Sequence, residues 1–449
     1  MTVLNESAVR AADAVVDWAA EQVLASLPET AVVVEAPAGA GKSYAVITIA
    51  LRLAARGQRV GITAFTNDQV QELVRGLALR NSSTPALHLH SDGMALEAGE
   101  YQGRVHNSMD AGDASRFPIV LATLNKMGQR EPTGHPTLSF DVLIVDEAFQ
   151  ASMTLYLNVG DVADRHLLVG DRGQLDPFVA ADGAVIWRGH RYDPAQHAVS
   201  VLERNRPESI LRRRLPVTRR LDPRAVPVAR LFYAGDHHFE SAVLPGVRQL
   251  AFSTPQVGDP LDALLQHAAA SGWGWHEVRT GPNVDLDMAE RITQIIQRLL
   301  DAAPQCTVER ADGGGTETFA LRQEQIGVAV PHNRQRVMLR HLLTECGLGE
   351  VEVLTANKMQ GLTYQVVIAW HPFAGLDELD PFHLDPGRLC VMLTRHKQAC
   401  IVVSREGDAE LLEALPPQPD VWLNVDEEPA LQGWLLHERV MSILTEHRR

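Results

Sequence analysis

The 449-residue sequence is poor in cysteine, in lysine and in net positive charge, and each shortage excludes something. Its four cysteines, Cys306, Cys346, Cys390 and Cys400, form no C-x-x-C pair. Zinc-ribbon and iron–sulfur frameworks need such pairs, so free thiols in a reducing cytoplasm are expected instead. No run is long and apolar enough to span a bilayer. The amino terminus lacks a basic segment followed by an apolar one, and Glu6 stands where an apolar stretch would begin. A cytoplasmic, membrane-free protein is the expectation. The formal net charge of -15 excludes a uniformly basic nucleic-acid coat but leaves room for a local basic stripe. Lysine occurs only at Lys42, Lys126, Lys358 and Lys397. Arginine fills the other cationic positions, which makes the four lysines suspects for places that require a compact ammonium.

What is present is a regular alternation of apolar runs and helical spacings. Ala31 to Pro37, Arg59 to Phe65, Pro118 to Thr123, Asp141 to Asp146 and His166 to Gly170 read as buried strands. Ala45 to Ala55 and Asp68 to Leu79 between them carry helical periodicity. A second series follows, with strands at Ile326 to Val330, Val351 to Thr355, Val366 to Trp370 and Ala399 to Val403, and helices at Met288 to Leu300 and Arg334 to Leu343. Strands apolar throughout and alternating with helices argue for parallel sheets covered on both faces. The expected fold class is therefore α/β, with two parallel-sheet domains in tandem. The first occupies 1–200 with a polar, irregular insertion near 80–117. The second occupies 201–410, and an acidic linker and helix fill 411–449. The join falls between about Ala180 and Leu211, and Asp312 to Thr316 reads as a loop tip.

Ala36-Pro-Ala-Gly-Ala-Gly-Lys-Ser43 follows a strand and opens a helix. This is a phosphate-binding loop with alanine in place of the first glycine. Backbone N–H groups of Pro37 to Tyr44 (proline excepted) and the helix start can cradle phosphates. Pro37, Ala38, Gly39, Ala40, Gly41, Lys42, Ser43 and Tyr44 are thus candidate ATP-binding residues. Lys42 would reach the terminal phosphates, and the Ser43 hydroxyl would ligate Mg2+. Leu143-Ile-Val-Asp146-Glu147 ends another strand in two carboxylates. Asp146 would hold Mg2+, and Glu147 would orient and deprotonate the attacking water. Leu168-Val-Gly-Asp171-Arg-Gly-Gln174 ends a third strand, where Gln174 could sense the γ-phosphate or that water.

The set resembles the superfamily 1 helicases, and most closely their 1B branch, which includes the helicase of nonsense-mediated mRNA decay. Asp146-Glu-Ala-Phe-Gln150 is similar to motif II and Val169 to Leu175 to motif III. Gly61 to Asn67 resembles motif Ia, and Val120 to Leu124 the next strand-contacting motif. Arg214 to Arg220, with Leu231 to Gly235, resembles motif IV. Ile326 to Pro331 with Gln335, Thr355 to Thr363 and Arg388 to Lys397 resemble the later segments, motifs V and VI among them. The Gln-Gly-Leu-Thr form of motif V is closer to RecD-like helicases. The matches run in family order from about residue 4 to residue 404.

That resemblance implies two RecA-like domains with ATP between them and a single strand across their shared face. It makes Arg220 and Arg395 arginine fingers on the γ-phosphate, with Gln360 and Gly361 completing the ATP site. Thr66, Asn67, Thr123, Pro331 and Thr355 would contact nucleic acid, mostly its phosphates, without reading sequence. It implies 5′ to 3′ movement on single-stranded nucleic acid, DNA favoured slightly over RNA, with a protein partner such as a nuclease. The departures are informative. Ala8 stands where the adenine-reading motif Leu4-Asn-Glu-Ser-Ala8-Val9 has glutamine, and Arg219 replaces a tyrosine whose stacking on the base its guanidinium could imitate. Arg204 to Arg230 is arginine-rich, either a strand-facing patch or a solvated helix. Trp187, Arg188, Arg191 and Tyr192 could stack bases or fill a core. The alternative to a motor is a nucleic-acid-dependent ATPase switch or clamp that needs a partner for unwinding.

Overall fold

A computed structural model describes residues 3–80, 83–96, 104–177, 193, 196–233, 235–253, 258–311, 313–414 and 429–449. Trp187, Arg188, Arg191 and Tyr192 lie outside these. No described helix is long and apolar enough to cross a membrane. The chain divides into two compact units. One comprises Arg10–Arg172 and Asp176–Pro216. The other comprises Val217–Arg449 together with Met1–Val9 and Gly173–Leu175.

The first unit is built on eight parallel strands. They are β1 (Ala31–Glu35), β2 (Val60–Ala64), β3 (Ala86–Leu89), β4 (Val105–Ser108), β5 (Ile119–Thr123), β6 (Phe140–Val145), β7 (Ala163–Gly170) and β8 (Ile210–Arg214). Their order across the sheet is β4-β3-β5-β2-β6-β7-β1-β8. β1, β2 and β6 are apolar on both faces because helices cover both, which is why they read as continuous runs. The helix Asn67–Arg80 buries Val70, Leu73, Val74, Leu77 and Ala78, the i, i+3, i+4, i+7 stripe of a helix lying on a sheet. Two departures from the sequence reading appear here. Part of the insertion near 80–117 forms β3 and β4, short strands that widen the sheet beyond β5. The arginine-rich run contains β8, which pairs in register with β1 from Ala31↔Ile210 to Glu35↔Arg214. Its alternation is hidden because Arg212, Arg213 and Arg214 occupy positions where strands usually show apolar residues. That pairing carries the first unit to Pro216.

β8 is held by charge as well as by its ladder. Glu35 is 2 % exposed at the end of β1. It accepts from Arg214 Nε at 2.7 Å and Arg172 Nε at 3.1 Å, and Arg212 Nε lies 3.4 Å away. Arg172 also grips Glu203 through Nη2 at 2.8 and 2.9 Å. Arg213, on the other face of the strand, lies over the Trp18 ring at 4.9 Å. Burial pushes the Glu35 carboxyl up, but Arg172, Arg214 and Arg212 together hold it below its ordinary value.

The second unit has a five-stranded parallel sheet and a three-stranded antiparallel one. Between Val217 and the carboxyl end lie β9 (Val217–Thr218), β10 (Glu240–Ser241), β11 (Gln249–Phe252), β12 (Trp273–Val278), β13 (Pro304–Glu309), β14 (Thr316–Ala320), β15 (Ile326–Val330), β16 (Glu352–Thr355), β17 (Tyr364–Trp370) and β18 (His396–Arg405). The parallel sheet runs β12-β18-β17-β15-β16 and the antiparallel one β11-β13-β14. One face of the parallel sheet packs the helices Pro260–Ser271, Val284–Asp301 and Asn333–Glu345. The other face packs the helix Pro386–Leu393 and the last helix, Pro429–Thr445, through Leu436, Val440 and Met441. The final residues then join β12: the Trp275 N–H donates to the His447 carbonyl at 3.0 Å, and the Arg449 N–H to the Trp275 carbonyl at 3.0 Å. The last helix is thus a cover for the second sheet.

The Glu35 network yields a pH prediction. Its folded pKa lies below the ordinary glutamate value of ~4.3. Its stabilisation is therefore complete above that value and is lost as pH falls through the lower folded one. Glu35→Gln is expected to lower the unfolding free energy at neutral pH by about 1–3 kcal/mol, since it leaves three arginines short of a buried acceptor. The difference from wild type should shrink on acidification, as read by denaturant melts at two pH values. Equal stability at neutral pH would remove the ionic account of how β8 is held.

Candidate functional site

The carboxyl ends of β1, β7 and β6, three neighbouring strands, deliver the candidate site of the first unit. The loop after β1 is tied down by the Ala36 N–H, which donates to the Gly170 carbonyl at 2.8 Å. Gly39 and Gly41 take φ of 73° and 89°, the left-handed region that a side chain disfavours. Gly41 caps the helix Lys42–Ala55, so the loop's amides converge on the helix start. An anion is favoured there by both the unpaired N–H groups and the helix dipole. Tyr44, the third residue of that helix, is 38 % exposed, and Arg80 lies over its ring at 5.0 Å.

Lys42 extends from the loop toward two acids. Its Nζ is 3.2 Å from Glu147 Oε1 and 3.9 Å from Asp171 Oδ2. The Asp171 side chain is fully buried. Asp146, beside Glu147, is buried and accepts from the Glu147 N–H at 2.9 Å. Burial and the neighbouring Glu147 push the Asp146 carboxyl up to about 7, against the pull of Lys42. A carboxyl raised by burial and by a neighbouring carboxylate would be relieved by a cation, and a hard divalent cation with oxygen ligands fits this donor set. Glu147 itself has φ of 53°, a left-handed conformation strained for a non-glycine residue. The turn that carries it presses on β7: the Ala148 N–H donates to the Val169 carbonyl at 2.9 Å. A Cβ added to Gly170 would meet Phe149 Cδ2 at 2.6 Å and the Ala148 nitrogen at 3.0 Å. Glycine at 170 is what admits the turn.

The nucleic-acid candidates of this unit also share a strand edge. Thr123 ends β5 opposite Ala64 of β2, and Thr66 and Asn67 follow β2 after Phe65. Thr123 caps the short helix Leu124–Met127, accepting from the Lys126 N–H. Thr66 is exposed, and its Oγ1 accepts from the Gln69 N–H at 3.2 Å. Gln69 in turn accepts from the Phe65 and Thr66 N–H groups and donates to Gln150 Oε1 at 3.1 Å, which connects this loop to the turn after Glu147.

The second unit gathers its own candidates. Arg220 Nε donates to Thr363 Oγ1 at 2.8 Å, Nη1 to the Thr394 carbonyl at 3.3 Å and Nη2 to the Gly361 carbonyl at 3.5 Å. Segments far apart in sequence thus meet at one guanidinium. Arg395 is buried, with Nε donating to the Val391 carbonyl at 3.3 Å. Gln174 belongs to this unit by its contacts and accepts from Gln360 Nε2 at 3.0 Å. Gly387 allows that approach: a Cβ there would lie 2.6 Å from the Gln174 carbonyl carbon. Arg219 is half-buried, Ala8 is buried, and Asn5 Oδ1 accepts from the Ala8 N–H at 3.3 Å. Pro331 and Thr355 are both buried at the ends of the adjacent strands β15 and β16.

Sequence reasoning gave no role to Asp171, Arg172 or Glu35. Asp171 had a local signal, an acid directly after a strand. Glu35 had a weaker one, an acid closing a Val-Val-Val run that must be buried. Arg172 had none, because its partners lie far along the chain.

A phosphate-binding loop after a parallel strand, acids ending the next two strands and a second parallel-sheet unit define a P-loop protein of two RecA-like domains. Models described as AAA domain match residues 17–203 and 283–407. The mouse DNA replication ATP-dependent helicase/nuclease DNA2 is 26% identical over 430 residues, 92% of this chain and 39% of that protein. The Xenopus laevis protein of the same name is 25% identical over 389 residues, 81% of this chain and 35% of that one. The chain thus spans little more than a third of the length of these relatives. Among solved structures, the PRRSV helicase has a TM-score of 0.44 and 15% identity, covering 95% of this chain and 61% of that one. Together the two domain matches and the helicase relatives support a superfamily 1 helicase.

The turn packing supplies a test. Gly170→Ala should displace the Asp146–Glu147 turn. It should lower the unfolding free energy by about 1–3 kcal/mol, as overpacking does. Denaturant unfolding with unchanged stability would show that the turn yields freely.

Proposed function

We propose that the chain is an ATP-driven motor that moves on single-stranded nucleic acid, DNA in preference to RNA, in the 5′ to 3′ direction. The observation that carries the reading is the convergence of Lys42, Glu147, Asp171 and Asp146 at the mouth of the phosphate-binding loop. Residues Pro37 to Tyr44 hold the phosphates of ATP, and Lys42 exchanges its carboxylate partners for the terminal phosphates. Ser43 and Asp146 suit Mg2+, which would supply charge neutralisation on the phosphate oxygens. Glu147 takes the proton of the attacking water as its oxygen bonds the γ-phosphorus and the bond to ADP breaks. Arg220 and Arg395 stabilise the charge that develops on the transferred phosphoryl group. Arg219, Gln360 and Gly361 complete the nucleotide contacts, and Gln174 reports the state of the γ-phosphate. Thr66, Asn67, Thr123, Pro331 and Thr355 mark the strand's path.

Two further points extend this reading. The relatives' name joins helicase to nuclease, so a nuclease is the partner class we favour. Thiols that form no disulfide suit a reducing compartment, the cytoplasm.

The test is ATP turnover with and without single-stranded DNA or RNA, beside Glu147→Gln. Stimulation by DNA, with kcat reduced ~100-fold or more in the variant, is expected. Turnover indifferent to both polymers would remove the motor and leave a switch or clamp.

A further inference from the structure

Arg248 belongs to none of the motifs, yet its side chain is fully buried. It stands immediately before β11, in the antiparallel sheet that the parallel α/β pattern does not require. Its partner is Glu309, at the end of β13. Arg248 Nε donates to Glu309 Oε2 at 2.8 Å and Nη2 to Oε1 at 2.5 Å, a bidentate pair. The remaining donors capture backbone. Nη2 donates to the Arg219 carbonyl at 2.8 Å, and Nη1 donates to the Arg220 carbonyl.

The same turn is held from its other end. Arg224 Nε donates to Asp222 Oδ1 at 2.6 Å, and its Nη1 donates to the Ala269 and Ala270 carbonyls at 2.9 and 3.0 Å. Its Nη2 donates to the carbonyl of Arg248 at 3.3 Å, so the two arginines are linked. The turn is also packed by Leu221, which is fully buried.

Burying an ion pair costs desolvation that its attraction only partly returns, so stability is a weak reason for one. What a planar guanidinium does well is fix several acceptors in one geometry. Here two of those acceptors are consecutive carbonyls of the residues that carry Arg219 and Arg220. Once those carbonyls are fixed, so is the direction of the Arg220 Cα–Cβ bond. The side chain beyond it is then aimed at Thr363, Gly361 and Thr394.

We propose that Arg248, seated by Glu309, is a positioning residue: it clamps the Arg219–Arg220 backbone and so aims the Arg220 guanidinium for nucleotide hydrolysis. This rests on the assignment of Arg220 to the reaction. The antiparallel sheet is then the mount of that clamp, since β11 and β13 bring its two halves together. Lysine at 248 keeps the charge but cannot serve Glu309 and both carbonyls in one plane.

The experiment measures strand-stimulated ATP turnover by the full chain for Arg220→Ala, Arg248→Lys, Glu309→Gln and the double variant Arg220→Ala/Arg248→Lys. Thermal midpoints are measured beside them. Arg220→Ala should lower kcat by ~100-fold or more. Arg248→Lys should lower kcat by about 10-fold with KM within about 2-fold, the signature of a contact made in the transition state. The double variant should turn over no more slowly than Arg220→Ala alone, because the clamp acts only through that side chain. A merely structural role predicts an equal further loss in the Arg220→Ala background, and that result overturns the proposal. Glu309→Gln keeps an acceptor for Arg248 and maintains the test if Arg248→Lys does not fold; its expected kcat loss is smaller and follows the same pattern. Arg220→Ala slow with Arg248→Lys and Glu309→Gln at wild-type kcat overturns the clamp alone. Arg220→Ala at wild-type kcat overturns the assignment of Arg220, and the clamp with it.

Discussion

Three carboxylates, Asp146, Glu147 and Asp171, share one ammonium, Lys42, at the carboxyl edge of the first sheet. The sheet that carries them decides how they meet. A parallel sheet places the ends of its strands on one edge, so loops 100 residues apart in sequence can face one another. β6 and β7 bring acids to that edge, and β1, paired with β7, brings the loop and its lysine. Glycine at 170 admits the turn after β6, and Glu147 sits in a strained left-handed conformation at its tip. A fold optimised for stability alone would keep neither the buried acid raised to about 7 nor the strained glutamate. Both suit the proposed ATP hydrolysis, which needs negative oxygens fixed in advance beside a phosphate-binding loop.

The same edge accounts for what the sequence made legible. Ile326–Val330 coincides with the strand read from its apolar run, and Val60–Ala64 and Phe140–Val145 lie within a residue of theirs. Continuous apolar runs between helical segments are what burial on both faces produces, so the parallel α/β class could be read directly. The loop and the acids could be read because their chemistry is local: each motif is a strand end plus a few residues. β8 was hidden for the opposite reason. Its main partners, the Glu35 carboxylate and the Trp18 ring, lie far from it in sequence. The antiparallel strands β11, β13 and β14 were missed likewise, being short and partly polar. β12 carries a glycine between two buried tryptophans and a histidine after them, a pattern that looks like a loop until Trp273 and Trp275 are seen against β18.

The two units solve different problems with the same architecture. In the first, charge is concentrated and left unbalanced around Lys42. In the second, arginines are immobilised: Arg220 by three acceptors, Arg224 by a neighbouring helix end, Arg248 by a bidentate glutamate. Arginine is suited to this because it stays charged and presents its donors in a plane. The low lysine count then has a physical sense. Lys42 keeps the compact ammonium that a phosphate contact wants, whereas the positions that grip carbonyls and carboxylates in fixed geometry carry arginine.

In the proposed motor, ATP hydrolysis at the Lys42–Glu147 site is converted into movement along a single strand. The most direct measurement is stopped-flow translocation on single-stranded DNA of increasing length carrying a dye at one end. A 5′ to 3′ motor gives a delay before the signal at the 3′ end that grows in proportion to strand length, requires ATP and disappears in Glu147→Gln. A signal whose timing is independent of strand length while ATP is being hydrolysed would contradict it.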